Sequence, residues 1–282
     1  GDKLFNGAVN IDWYLTDASK SKLAAEAFVF HGPAYHGVSQ DDVGYSHGHK
    51  LIDTASFTKT IVKRSYGFED VPFTLAIAGY GTGKSHLGIT IAELLSAPSD
   101  KVSTDILSNI RSADDQIGQD IGIMIDDIGK PCLVIALNGL TKFDFIHGLS
   151  SQIIQVLRRD GHDVKPIEDL RPRFQQAIKM LNWVKNPQML KELAEVCSGA
   201  SLADIIALLE QQDETTYINV NKFLGKHDMQ IRNLQGESIQ ELIGRTVEVY
   251  CGEGKPYQSL VILFDEFGKY MEFASTKSHL AG

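Results

Sequence analysis

Apolar positions along this chain change period several times, and each change marks an element. Residues 53–66 place Phe57, Ile61 and Val62 on one helical face with Lys59, Lys63 and Arg64 elsewhere, and Asp53 stands where an N-cap belongs. Residues 72–77, Pro-Phe-Thr-Leu-Ala-Ile, are an apolar run of the length of a buried strand, and residues 87–95 return to helical spacing. Pro98-Ser99-Asp100 then breaks the chain. Two amphipathic segments follow, the second keeping Ile117, Ile121, Met124, Ile125 and Ile128 three and four residues apart, which predicts a helix despite its glycines. Residues 132–137, continuously apolar between Pro131 and Asn138-Gly139, predict a second buried strand. A long helix over 143–159 turns Phe145, Ile146, Leu149, Ile153, Val156 and Leu157 inward and ends at Gly161. Residues 166–250 read as helical pieces without a buried strand, too regular in period for a loop. Residues 259–264, Ser-Leu-Val-Ile-Leu-Phe, predict a third buried strand, and a short helix follows it.

The amino-terminal part is less regular. Residues 10–15 suit an extended piece and 21–30 a short helix, whereas 31–50 are rich in glycine, histidine and aspartate and read as a long loop. Its histidines, His31, His36, His47 and His49, lack the H-x-x-x-H spacing of a helical metal pair and have no cysteine beside them, so solvated loop histidines are the better account. The division expected is an extension over 1–52, the first half of a core over 53–165, a helical insertion over 166–250 and a closing strand and helix over 251–282.

Composition narrows the class. With 43% hydrophobic and 22% charged residues the 282-residue chain is of globular type, long enough for a sizeable core. No apolar run reaches the roughly 18 residues that cross a bilayer, which predicts no membrane span and a cytoplasmic setting. Cys132, Cys197 and Cys251 are odd in number and far apart, suggesting neither a disulfide framework nor a zinc site. A net charge of −9 argues against non-specific nucleic-acid binding by the whole module, leaving a nucleic-acid partner open only at a local basic face. The chain opens on Gly1, which points to a processed or excised piece of a longer protein.

The chemistry concentrates in two stretches. Ala78, Gly79, Tyr80, Gly81, Thr82, Gly83, Lys84 and Ser85 lie between a predicted strand and a predicted helix, with His86 next. The bare glycine backbone lets successive N–H groups turn inward around phosphates at the positive end of the helix. Lys84 is placed to reach the β- and γ-phosphates and the Ser85 hydroxyl to ligate Mg²⁺. Far downstream, the strand over 259–264 delivers Asp265 and Glu266 to its end: Asp265 suits a magnesium ion and Glu266 an attacking water. Fragments of a guanine-nucleotide signature also occur, Asp126-Asp127-Ile128-Gly129 and Thr141-Lys142-Phe143-Asp144. Only residues 130–140 separate them, one strand and a turn where a helix and a strand are required, and Asp126 falls inside a helical pattern.

The first stretch resembles the Walker A loop of P-loop NTPases, with Ala78 in place of the first glycine, and the second resembles a Walker B strand followed by a catalytic glutamate. Together they resemble the first half of an AAA+ or initiator-like ATPase, and more loosely the large ATPases of prokaryotic phage-defence and DNA-modification systems. The resemblance covers about 57–273 and is specific only at the two Walker stretches. It implies an α/β fold, a three-layer P-loop core with a mainly parallel sheet plus a helical insertion. It further implies binding of ATP with Mg²⁺, Ala78 to His86 as the nucleotide-binding residues, Ser85 and Asp265 on the metal, Lys84 and Glu266 in catalysis, and Tyr66 with its neighbours beside the adenine. The sensor strand, lid domain and arginine finger of that family have no counterpart here, which implies an incomplete core and an isolated chain that is nearly inactive. Two functions follow: an ATPase motor or switch module of a homo-oligomer or larger protein, or a nucleotide-dependent scaffold with little turnover.

Overall fold

The computed structural model describes residues 8–36, 45–46, 49–50, 52–77, 81–141, 143–229 and 238–276. In chain order these form α1 (Trp13–Thr16), α2 (Ala18–Ala27), a 3₁₀ turn (Pro33–His36), β1 (Tyr45–Ser46), β2 (His49–Lys50) and α3 (Thr54–Ser65). Next come α4 (Lys84–Ser96), α5 (Lys101–Ala113), α6 (Asp115–Ile128) and β3 (Leu133–Asn138). A helical series follows: α7 (Phe145–Arg159), α8 (Lys165–Glu168), α9 (Pro172–Trp183), α10 (Pro187–Val196), α11 (Leu202–Glu210), α12 (Glu214–Lys226) and α13 (Ile239–Tyr250). The chain closes with β4 (Leu260–Asp265) and α14 (Phe267–Thr276).

Most helix starts are written locally. Asp53, Asp114, Asp144 and Asp213 each accept the backbone N–H three residues on, satisfying a donor that the first helical turn leaves without an intrahelical partner. Ser201 and Asp204 form a reciprocal capping box at α11, and proline opens α9 and α10. Each cap is worth about 1 kcal/mol.

Two compact units result, Gly1–Lys142 with Tyr250–Gly282, and Phe143–Val249. In the first, β3 and β4 pair in parallel, Leu133 opposite Leu260 through to Asn138 opposite Asp265. Helix α4 lies on both strands, α2 packs on α4 and α5, and α6 packs on α5 and α3. Val134 and Ala136 from β3 share a buried cluster with Ile89, Leu94, Ile106 and Ile121, against which Val261 and Leu263 from β4 also pack. In the second unit, α9 to α12 enclose Phe174, Leu181, Leu193, Leu209, Val220 and Phe223.

The three-layer α/β core expected from the sequence is not what the chain builds. Among the described residues 64% are helix and 6% strand, and the parallel sheet they form has two strands. Residues 71–77, read as the strand leading into the nucleotide loop, have no strand structure and are exposed throughout; Phe73, Leu75 and Ile77 keep 67%, 57% and 64% of their surface in contact with solvent. An apolar run becomes a strand only where a neighbouring edge takes up its N–H and C=O groups. No described strand lies against 71–77, and Pro72 has no N–H to offer.

Candidate functional site

The loop expected to bind nucleotide is described from Gly81 onward; Ala78, Gly79 and Tyr80 lie outside the described residues. Gly81 and Gly83 have φ of +75° and +84°, a left-handed backbone in which a side chain would be strained. They leave residues 81–83 exposed at the mouth of α4, and Gly83 caps that helix with its carbonyl, bonded to the Leu87 N–H at 2.8 Å. Lys84 and Ser85 are half-buried in the first turn. His86 turns toward α2, its Nε2 2.6 Å from the Ala24 carbonyl oxygen and its ring edge-on to Phe28, so it anchors the helix start. Buried Glu93 accepts a hydrogen bond from the Ser21 hydroxyl and ties the same two helices together farther along.

Asp265 ends β4 and Glu266 follows it, both half-buried. Asp265 Oδ1 accepts from the Glu266 N–H at 2.9 Å. The Glu266 carbonyl accepts from Lys269 and Tyr270 at 3.0 and 3.2 Å and so opens α14. A residue in that capping position ordinarily has extended backbone, yet Glu266 has φ +53°. The other described non-glycine residues with positive φ, Ser198, Gln212 and Asp228, follow the ends of α10, α11 and α12, where a left-handed residue is the usual way to stop a helix. Glu266 alone of these stands between a strand and the helix it begins.

The two stretches occupy the same end of the first unit. Helix α4 runs antiparallel to β3, because the Leu95 carbonyl at its far end accepts from the N–H of Cys132, just before β3, at 2.8 Å. At the other end Ile11 reaches to Gly88, one turn into α4, where an added Cβ would lie 3.3 Å from the Ile11 side chain. The neighbours of Ile11 hold the last residue of β3: Asn138 Nδ2 donates to Asp12 Oδ2 at 2.8 Å and to Asn10 Oδ1 at 3.3 Å, while its Oδ1 accepts from the Leu140 N–H at 3.0 Å. Asn138 is opposite Asp265 in register. Asn10, Asp12 and buried Asn138 thus join the site, and no local pattern announced them. Only the polar residue ending an apolar strand beside the acidic one hinted at Asn138.

Tyr66 goes elsewhere. It is buried in the core beside Cys132, at the opposite end of β3 from the acids, and burial raises its hydroxyl pKa far above the ordinary value. Buried there, Tyr66 itself does not present its ring at the exposed loop of residues 81–83. The guanine-type fragments are also structural: Asp126 to Ile128 are the last turn of α6 with Gly129 as left-handed cap, and Asp144 caps α7 by accepting from His147 at 3.0 Å. Lys142 lies outside the described residues, as does His47. Among the described residues no cluster of three or more histidine, cysteine, aspartate or glutamate side chains could hold a metal, and no helix is long and apolar enough to cross a membrane.

The second unit contains a network of paired polar residues, several of them buried. Arg171, 2% exposed, bonds Gln212 Oε1 and Glu214 Oε2, each at 3.2 Å, and Arg173 grips Glu214 with two bonds of 2.8 Å. Ser150 donates to the same Gln212 oxygen at 2.7 Å, and the Glu214 N–H donates to His147 Nε2 at 3.3 Å. Burial, then the Arg171 guanidinium, push the His147 pKa down to about 4. Buried charge is tolerated here because it is paired and hydrogen-bonded.

No family model, no curated protein and no solved structure matches the chain.

Proposed function

We propose that this chain is an ATP-binding and ATP-hydrolysing P-loop module of a larger motor or switch protein in the cytoplasm. The observation that carries the reading is the common end: a left-handed glycine turn opening a 13-residue helix, and a strand-end Asp-Glu pair held in a strained turn, both at the carboxyl end of the parallel strands. A helix start with exposed glycine N–H groups attracts phosphates, and Lys84 adds a full positive charge to it. The residues suit magnesium in one mode. A protein cage of carboxylates is lacking among the described residues, but Mg²⁺ on a nucleotide needs only one or two protein ligands beside phosphate and water, which Ser85 and Asp265 provide. When bound it would supply neutralising charge at the phosphates. Glu266 then holds and deprotonates the water, from a position adjoining Asp265. Free thiols at Cys132, Cys197 and Cys251 fit the cytoplasmic setting.

Calorimetry with Mg·ATP and single-turnover hydrolysis test this together. Lys84→Ala is expected to abolish binding, and Asp265→Ala to weaken its magnesium-dependent part. Glu266→Gln keeps shape and removes charge, so it should bind normally while hydrolysis by the complete assembly falls by about 10² to 10⁴, the usual worth of a positioned base. Undiminished affinity in Lys84→Ala overturns the assignment.

A further inference from the structure

The left-handed turn at Glu266 lies against the backbone of the neighbouring strand's end. Gly139, directly after β3, donates its N–H to the Asp265 carbonyl at 2.8 Å, continuing the ladder one step beyond the paired strands. That bond brings the two backbones so close that a Cβ on Gly139 would lie 2.8 Å from the Glu266 carbonyl carbon, closer still to its oxygen, and 3.1 Å from the Asp265 oxygen. The obstruction is backbone on both sides, which cannot swing away as a side-chain tip can. The same Glu266 oxygen is already held by the N–H groups of Lys269 and Tyr270, so the peptide is fixed from the helix side as well.

We infer that Gly139 is a positioning residue for Glu266: its missing side chain is the space that allows the Asp265–Glu266 peptides to take the left-handed turn that aims the Glu266 carboxylate. The inference rests on the reading of Glu266 as the water-holding base, but its structural half stands apart from it. Left-handed backbone at a non-glycine residue is unfavourable and persists only where its surroundings over-determine it, and such residues concentrate at active sites. Gly139 on one side and the first turn of α14 on the other are those surroundings.

A double-mutant cycle, read as thermal midpoints of the full chain, tests the structural half. Glu266→Gly should raise the midpoint by about 2 °C or more, because glycine relieves the positive φ. Gly139→Ala should lower it by several degrees, and by less than half as much when residue 266 is glycine, whose backbone can yield. Equal losses in the two backgrounds overturn the inference. If Gly139→Ala does not fold, the double variant decides: folding supports the coupling, and failure to fold shows that the crowding is independent of Glu266.

The functional half is read from hydrolysis kinetics of the complete assembly, because the isolated chain is expected to turn over little. A displacement of about 1 Å costs on the order of 10²-fold in rate, so Gly139→Ala should lose about that in kcat with KM and Mg·ATP affinity changed by less than about threefold. Unchanged kcat, or equal losses in affinity and rate, contradict the positioning role. Absence of Mg·ATP binding by the unmutated chain defeats the ATPase reading instead, and the stability cycle still decides whether Gly139 sets the Glu266 turn.

Discussion

The imidazole of His147 accepts a backbone hydrogen bond at Nε2 from the Glu214 N–H, while its Nδ1 stands 3.5 Å from the Arg171 guanidinium and 3.9 Å from the Glu214 carboxylate. The charged groups acting on it are Arg171 and Arg173, which oppose protonation, and Asp213 and Asp144, which favour it; burial outweighs all of them and holds the pKa near 4, below its ordinary 6.5. Between those values the unfolded chain binds the proton and the folded chain does not, so protonation favours unfolding. Stability contributed by neutral His147 is therefore complete above pH 6.5 and is lost as pH falls toward 4. Urea midpoints across pH 4 to 7 should rise with pH, and His147→Asn should flatten that part of the slope; an unchanged slope in the variant places the effect on another group. At this scale the sequence was legible where chemistry is contiguous. Lys84, Ser85, Asp265 and Glu266 each stand in a short pattern, whereas Asn10, Asp12 and Asn138 become neighbours only after some 126 residues of chain have folded back.

Two apolar hexamers, residues 72–77 and β3, read alike as strands and have opposite fates. Every residue of β3 is buried, with Ile135 fully so, because β4 supplies a hydrogen-bonding edge and α4 a covering face. Residues 72–77 have neither a described partner strand nor a cover, and extend exposed apolar side chains from the end of α3. Leu75→Ser should accordingly change unfolding free energy by no more than about 0.5 kcal/mol, as exposed substitutions do. Ile135→Ala should cost about 2–5 kcal/mol, the range for emptying a packed core position. Denaturant midpoints compare them directly, and a Leu75→Ser loss equal to that of Ile135→Ala means that residues 72–77 are covered in solution. Most helices were legible because their signals are local: Asp53 and Gly161 mark a start and a stop within a turn, whereas residues 10–15, read as an extended piece, enter the short helix α1. Strand pairing is decided by a distant segment, and β4 reaches β3 only after α7 to α13 have intervened.

Across the whole chain, that helical series changes the class of the protein. A reader who counts apolar runs finds three strands and a sheet; the molecule spends its length on helices, among them a second unit with its own core and its own buried charge network. The same arrangement bears on which base the proposed nucleotide site should prefer. A guanine pocket needs an aspartate whose carboxylate faces the ring, and the one candidate, Asp144, is engaged in capping α7, while the companion D-x-x-G stretch is wound into the end of α6 instead of ending a strand. Neither fragment offers a recognition edge that would separate guanine from adenine, a discrimination that depends on buried hydrogen-bonding groups left unsatisfied by the wrong base. ATP should therefore compete at least as well as GTP for the loop at Gly81 to Ser85 when each displaces a fluorescent nucleotide in the presence of magnesium. Asp144→Ala should leave the ratio of the two affinities within about twofold while lowering stability by roughly 1 kcal/mol through the lost cap. A strong preference for GTP that disappears in Asp144→Ala would assign that carboxylate to the base and reverse the choice of nucleotide.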